Sequence, residues 1–181
     1  MPTSTMDQML NSFTITRTVY LVARSIDRCD RALLESCFWP DATDDHGIYK
    51  GSARGFIDWV MPLLPATFER TQHAISNVLV DFEGTDVAHS EATFVAYHRP
   101  IGRGDAYHGP VGGEQRDMVS AGRYLDRFER RDGEWRIADR RAVYDWMIDI
   151  AATDQNWLAA PMREQLVRGR QGPDDRSYTR T

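Results

Sequence analysis

The chain has 181 residues, 41% hydrophobic and 27% charged, with a formal net charge of −5. That length suits one domain with a substantial core, and the acidic balance excludes a general nucleic-acid surface. The longest apolar runs, such as Ala159-Ala160-Pro161-Met162, fall far short of a membrane span, and no charged-then-apolar signal pattern opens the chain, so a cytoplasmic protein is expected. Lys50 is the only lysine, and the eight Arg between Arg116 and Arg141 are interleaved with six Asp or Glu. Such alternation reads as an ion-paired strand surface rather than a phosphate track. Cys29 and Cys37 make no disulfide framework and are expected as small reduced core residues.

Residues 1–12 are expected to form a flexible N-terminal segment. Apolar positions at Ile15, Val19, Val22, Ala23 and Ile26 predict a first helix, capped by Thr14 or Thr16 and ending near Cys29. Asp30 suits the N-cap of a short second helix with Leu33, Leu34 and Cys37 on its apolar side. Phe38-Trp39-Pro40-Asp41 breaks that helix, and an extended piece runs from Ala42 to Tyr49. Ser52 then caps a third helix through Phe56, Ile57, Trp59, Val60 and Leu63, stopped by Leu64-Pro65.

From there the pattern is that of strands. One opens at Glu69-Arg70-Thr71-Gln72-His73 and runs to about Phe82; Glu83-Gly84-Thr85-Asp86 turns the chain, and Val87–Arg99 returns. The segment from Pro100 to Asp117 holds five Gly and two Pro, long for a hairpin connection, and is expected to be a lid, a subunit contact or disordered. Met118–Arg131 and Glu134–Ile148 flank Asp132-Gly133, the strongest hairpin signal in the chain. Gln155–Arg168 predicts a C-terminal helix, so that residues 13–150 form the domain and 151–181 a helix with a mobile tail. Three helices followed by a four-strand antiparallel meander predict an α+β plan, a curved sheet wrapped around helices with a pocket inside the cone.

Asp27 and His73 carry the chemical signal. Residues seven and four apart on a helix share a side, so Tyr20, Ala23 and Asp27 point together. A carboxylate on a core-facing side is costly unless paired, and a strand-borne His73 of matching parity is the candidate partner. Such a pair is equipment for proton transfer. Each residue alone also fits a structural role, His73 as a satisfied core histidine and Asp27 as a helix-end acid. Asn77 shares strand parity with His73 and is a candidate cavity residue; Tyr97 and His98 are rim candidates, and Tyr20 and Tyr124 candidate donors to a substrate oxygen. Trp39, Trp59, Trp135 and Trp146 read as core or interface residues. His46, His73, His89, His98 and His108 show no metal-ligand spacing, so no metal is expected. Gly102-Arg103-Gly104 lacks the third glycine of a phosphate cradle, no Gly-x-Ser-x-Gly elbow is present, and no cofactor is signalled.

Val19-Tyr20, Ser25-Ile26-Asp27, Tyr49-Lys50-Gly51, Arg70-Thr71-Gln72-His73 and Glu129-Arg130-Arg131-Asp132-Gly133-Glu134-Trp135 follow one another in an order that resembles the NTF2-like cone fold in its SnoaL-like branch. The resemblance covers most of residues 15–148 and is greatest to the scytalone dehydratase and hexachlorocyclohexane dehydrochlorinase group. It implies that Asp27 and His73 are the catalytic pair, His73 as base and Asp27 as its orienter. Two positions depart from the dehydratase-like pattern: a Tyr on the short strand is His46 here, and the Tyr next to the helix Asp is Ile26. Tyr124 matches a polar residue of the penultimate strand. The implied activity is a small-molecule lyase, of dehydratase or dehydrohalogenase type, acting on a hydrophobic, aromatic or polycyclic substrate. Tyr20, His46, Asn77 and Tyr124 would position that substrate, with Tyr97 and His98 at the rim. The same dyad also serves a SnoaL-like, polyketide cyclase-like cyclase or isomerase. The fold further serves a non-catalytic ligand-binding or assembly module like the small subunit of ring-hydroxylating dioxygenases. The resemblance also implies a homo-oligomer, trimer or dimer, joined through the C-terminal helix and the exposed sheet face.

Overall fold

Short polar side chains start two of the helices. In the computed structural model, which describes residues 5–102, 115–152 and 166–179, Asp30 accepts from the amide of Leu33 to begin α2 (Arg31–Ser36). Ser52 accepts from the amide of Gly55 to begin α3 (Ala53–Thr67). Both caps satisfy amides that the first turn leaves unpaired. The first helix, α1 (Thr5–Arg28), starts well before the expected cap, and residues 5–12 belong to it rather than to a flexible segment. Thr14 bonds its hydroxyl back to the carbonyl of Leu10, and Thr18 to that of Thr14. The threonine that resembled a cap therefore sits inside the helix, using the i−4 carbonyl.

Six strands follow or interleave: β1 (Phe38–Asp45), β2 (Lys50–Ser52), β3 (Phe68–Glu83), β4 (Val87–Pro100), β5 (Arg116–Arg131) and β6 (Glu134–Ala151). They form one mixed sheet in the order β2-β1-β6-β5-β4-β3. β1 runs parallel to β6, and every other pairing is antiparallel. The expected four-strand meander is thus β3 to β6, and β1 and β2 extend it. Pro40 obscured β1 in the sequence. The β1–β6 register shifts between Phe38 and Thr43, and Pro40 falls in that irregularity, where a missing amide does no harm.

The helices close one end of the sheet to give an α+β cone. Ile15, Val19, Leu34, Phe56 and Ile57 from the helices meet Ala88, Ala92, Phe128 and Ile137 of the strands in the main core. Trp135 is buried there and Trp39 and Trp59 pack against it, whereas Trp146 lies exposed on β6 with Met147 and Ile148. No helix among the described residues is long and apolar enough to cross a membrane.

Two expected segments fall partly outside the described residues: 103–114 of the glycine-rich loop and 155–165 of the C-terminal helix. The feet of the loop are described, and there Arg99 donates to both carboxylate oxygens of Asp117 at 2.6 and 2.5 Å, with both side chains buried. The charged tail was expected to be mobile, yet residues 166–179 are seated on the end of α1. Gly172 donates to the carbonyl of Arg28 at 2.7 Å, Tyr178 donates to Asp30 at 2.7 Å, and the short α4 (Arg176–Thr179) places Ser177 against Arg24. Buried Asp175 accepts from the amides of Arg170 and Ser177 and holds the tail's own turn.

Candidate functional site

β3 is an edge strand, so some of its amides face away from β4 and need another acceptor. Asp27, in the last turn of α1, supplies it for His73. One carboxylate oxygen accepts from the His73 amide at 2.8 Å, and the other lies 2.8 Å from Nδ1 of the same residue's ring. Asp27 is only 8% exposed. Burial pushes its carboxyl pKa up, but the hydrogen bonds and charge of His73 outweigh that and hold it below the ordinary carboxylate value.

The His73 ring borders a cavity of about 320 Å³ inside the cone. Phe56 and Trp59 of α3, Phe94 and His98 of β4, and Ser120 and Tyr124 of β5 are among its other walls. His98 stands edge-on to His73, with ring centroids 5.3 Å apart, and against Phe68 at 4.9 Å. Burial, reinforced by the charge of His73, pushes the His98 pKa down to about 3, so this ring is neutral. Its Nδ1 meets no partner among the described residues.

A second carboxylate–imidazole pair borders the same cavity. Nδ1 of His46, just beyond β1, is hydrogen-bonded to Asp44, which is 1% exposed. The His46 ring stacks on Phe56, centroids 4.3 Å apart and planes 9° from parallel. Behind Tyr124 lies a buried ion pair, in which Arg140 donates to both oxygens of Asp126 at 2.7 and 2.6 Å. The Arg140 guanidinium also covers the Tyr124 ring at 4.6 Å, and Phe94 stacks on the same ring with centroids 4.5 Å apart. Burial raises the Tyr124 phenol well above its ordinary pKa, so it is a donor and not a phenolate.

His46, His73, His98 and Tyr124 therefore share one cavity, whereas Asp27, Tyr20 and Tyr97 line an outer groove that His73 also borders. Tyr20 shares Asp27's side of α1 but lies roughly 10 Å along the axis, and it is 48% exposed toward a wider outer groove. Tyr97 faces that groove as well, because consecutive strand residues point to opposite faces and His98 takes the inner one. Asn77 is exposed. Its positive φ of 49° marks a bulge, and the β3–β4 register shifts between Ser76 and Leu79. Inward positions run His73 and Ile75 before the bulge and Val78, Val80 and Phe82 after it, so parity with His73 does not carry through. Asp44 and Ser120 were not singled out in the sequence. Asp44 lies two residues before His46, and Ser120 four before Tyr124, both spacings that put extended residues on one face.

A helix-stoppered, curved sheet with polar groups gathered in its hollow defines the class of NTF2-like cones. Residues 10–141 match the family described as the SnoaL-like domain, and the chain belongs to that family. Solved structures share the fold. A type 2 hexachlorocyclohexane dehydrochlorinase superposes with a TM-score of 0.69 at 21% identity, over 82% of this chain and 95% of that one. A scytalone dehydratase-like protein from Novosphingobium aromaticivorans gives 0.69 at 17% identity, over 94% and 98%. An NTF2-like superfamily protein from Salmonella enterica gives 0.61 at 15% identity, over 76% and 92%. No curated protein matches the sequence.

Proposed function

We propose that the protein is a small-molecule lyase in which His73 takes a proton from an acidic carbon of a hydrophobic substrate and Asp27 orients the ring. The observation that supports this reading is that Asp27 engages Nδ1 at 2.8 Å while the same ring borders the cavity. Nε2 is then the nitrogen left for a substrate. When it accepts the proton, the positive charge on the ring forms beside a carboxylate already in place, and little needs to reorganise. The electron pair of the C–H bond becomes a new C=C bond as a group leaves the neighbouring carbon. A positioned base contributes roughly 10²–10⁴-fold, so the substrate must supply a C–H already acidified, as beside a carbonyl. A cavity of about 320 Å³ walled by Phe56, Trp59 and Phe94 fits a compact aromatic or fused-ring molecule. The neutral His98 and the Tyr124 hydroxyl are the groups suited to meet its oxygen.

The similarity to a dehydrochlorinase and a scytalone dehydratase-like protein suggests the first assay. The wild type and His73→Ala are given hexachlorocyclohexane, followed by chloride release, and an α-tetralone bearing a hydroxyl on the carbon β to its carbonyl, followed as α-naphthol. Turnover of either by the wild type, falling by roughly 10²–10⁴-fold in the variant, supports the reading. Equal rates in the two proteins, or unfolding of the variant, would refute it.

A further inference from the structure

The cavity holds more proton-transfer apparatus than a single base requires. We propose that His46, held by Asp44, is a second catalytic residue that protonates the departing group, so that the substrate class is a β-hydroxy carbonyl compound losing water rather than a halide losing hydrogen halide. This rests on the reading of His73 as the base.

The pair is built from one short stretch of chain. Asp44 and His46 are two apart at the end of β1, so both side chains leave the backbone on the same side. Asp44 is fully enclosed, whereas the His46 side chain keeps 14% of its surface and borders the cavity. The carboxylate is thus the rear of the pair and the imidazole its front. Nδ1 is taken by Asp44, and stacking on Phe56 fixes the ring plane. Nε2 is the nitrogen left for a ligand.

The second oxygen of Asp44 meets no hydrogen-bond partner among the described residues. The buried cation Arg140 is committed to both oxygens of Asp126. In the role of acid the ring carries its charge beside the buried carboxylate already hydrogen-bonded to its Nδ1. β1 and β3 are separated in the sheet by β6, β5 and β4, so the two imidazoles reach the cavity from different walls.

The chemistry needs such a donor for one leaving group and not for the other. Hydroxide is the conjugate base of water, whose pKa is about 15.7, and it departs slowly unless protonated. Chloride needs no proton. In the step itself, Nε2 of His73 takes the proton from the carbon beside the carbonyl and the C–H pair forms the C=C bond. The C–O pair leaves with the oxygen, which takes the proton from Nε2 of His46 and departs as water. His73 then carries one proton more and His46 one fewer, and exchange with solvent water restores both.

The test uses two α-tetralones, one with hydroxyl and one with chlorine on the carbon β to the carbonyl. Both give α-naphthol, measured above the uncatalysed rate. In His46→Gln and in Asp44→Asn, the ratio of hydroxy to chloro turnover falls by roughly 10²–10⁴-fold. In His73→Ala both rates fall together and the ratio holds. An unchanged ratio in the His46 and Asp44 variants would overturn the proposal while leaving the base assignment standing. Nitrogen chemical shifts of the His46 ring give a measurement free of substrate. They move in Asp44→Asn if the pair exists in solution, and shifts identical to the wild type overturn it even where neither tetralone reacts.

Discussion

Replacing Asp27 by Asn separates positioning from packing at the site with no change in side-chain volume. The carboxylate now accepts twice from one residue, from the His73 amide and from its Nδ1, each at 2.8 Å. An amide has one acceptor and one donor in those places. The backbone N–H cannot rotate away or lose its proton, so the Asn carbonyl turns to it and the Asn NH₂ faces Nδ1. Nδ1 must then accept, the ring proton moves to Nε2, and the lone pair that should take the substrate proton is gone. A carboxylate-to-amide change that inverts a catalytic histidine's tautomer in this way costs about 10⁴-fold in kcat in the serine protease triad, and a loss between roughly 10² and 10⁴-fold is expected here. Stability suffers less. One charge-assisted hydrogen bond is worth about 1.5–3 kcal/mol, and a chain of this size loses about 2–4 °C per kcal/mol, so Tm falls by roughly 3–12 °C. The assay pairs α-naphthol formation and thermal unfolding with the nitrogen shifts of the His73 ring, which report which nitrogen is protonated. Full activity with Nδ1 still protonated would refute the reasoning. A collapse of the fold would make Asp27 a structural residue.

The remaining predictions concern groups around the cavity. Arg140→Met leaves Asp126 buried without a counter-charge and is expected to cost roughly 3–5 kcal/mol in urea unfolding, most of it recovered by adding Asp126→Leu; no recovery would show that the pair is not the cause. His98, with its pKa pushed from 6.5 down to about 3, takes no proton in the folded state where the unfolded chain does. Its contribution to stability is thus intact above pH 6.5 and is lost as pH falls toward 3, at about 1.4 kcal/mol per pH unit. Unfolding free energies at about pH 7 and 5 should diverge by roughly 2 kcal/mol in the wild type and not in His98→Gln; parallel curves would contradict the buried neutral ring. Gly122→Ala would set a Cβ 1.9 Å from the carbonyl oxygen of Val143, part of the β6 backbone. A loss exceeding about 4 kcal/mol is expected, and a variant that melts like the wild type would mean that β5 and β6 separate there easily.

What could be read from the sequence was local chemistry with a single geometric solution. Asp30 and Ser52 cap the helices that follow them, and Asp132-Gly133, with φ of 53° and 84°, makes the hairpin its composition demands. Asp27 and His73 were legible because a buried acid on a helix needs a partner and strand parity supplied one. The misreadings have a common origin in tertiary context. Thr14 has the side chain of a cap but an available i−4 carbonyl, and Pro40 forbids a regular strand but not an irregular one. Asn77 obeys strand parity only until the bulge it creates. The tail looks mobile by composition, yet its charged and hydroxyl groups find Arg28, Asp30 and Arg24 at the end of α1. Asp44 was hidden for a related reason. Until β1 is placed beside β6, nothing in the spacing of Asp44 and His46 says that the pair faces a hollow.

The two carboxylate–imidazole pairs are anchored differently, and that difference follows from topology. Asp44 and His46 belong to one stretch of chain, so their relation is fixed as soon as that stretch is extended. Asp27 and His73 come from α1 and β3, and their relation depends on how the helix seats against an edge strand. The tail packs on the very turn of α1 that carries Asp27, with Gly172 on the Arg28 carbonyl and Asp175 beside the Arg28 guanidinium at 3.5 Å. These contacts brace the end of α1 from outside the cavity. The geometry of the Asp27–His73 pair is thereby tied to the seating of the tail, whereas that of the Asp44–His46 pair is not. His98, the third imidazole, has no carboxylate on it and stays neutral through burial. Three chemically identical rings are in this way given unequal neighbours, two hydrogen-bonded to buried carboxylates and one left neutral by burial.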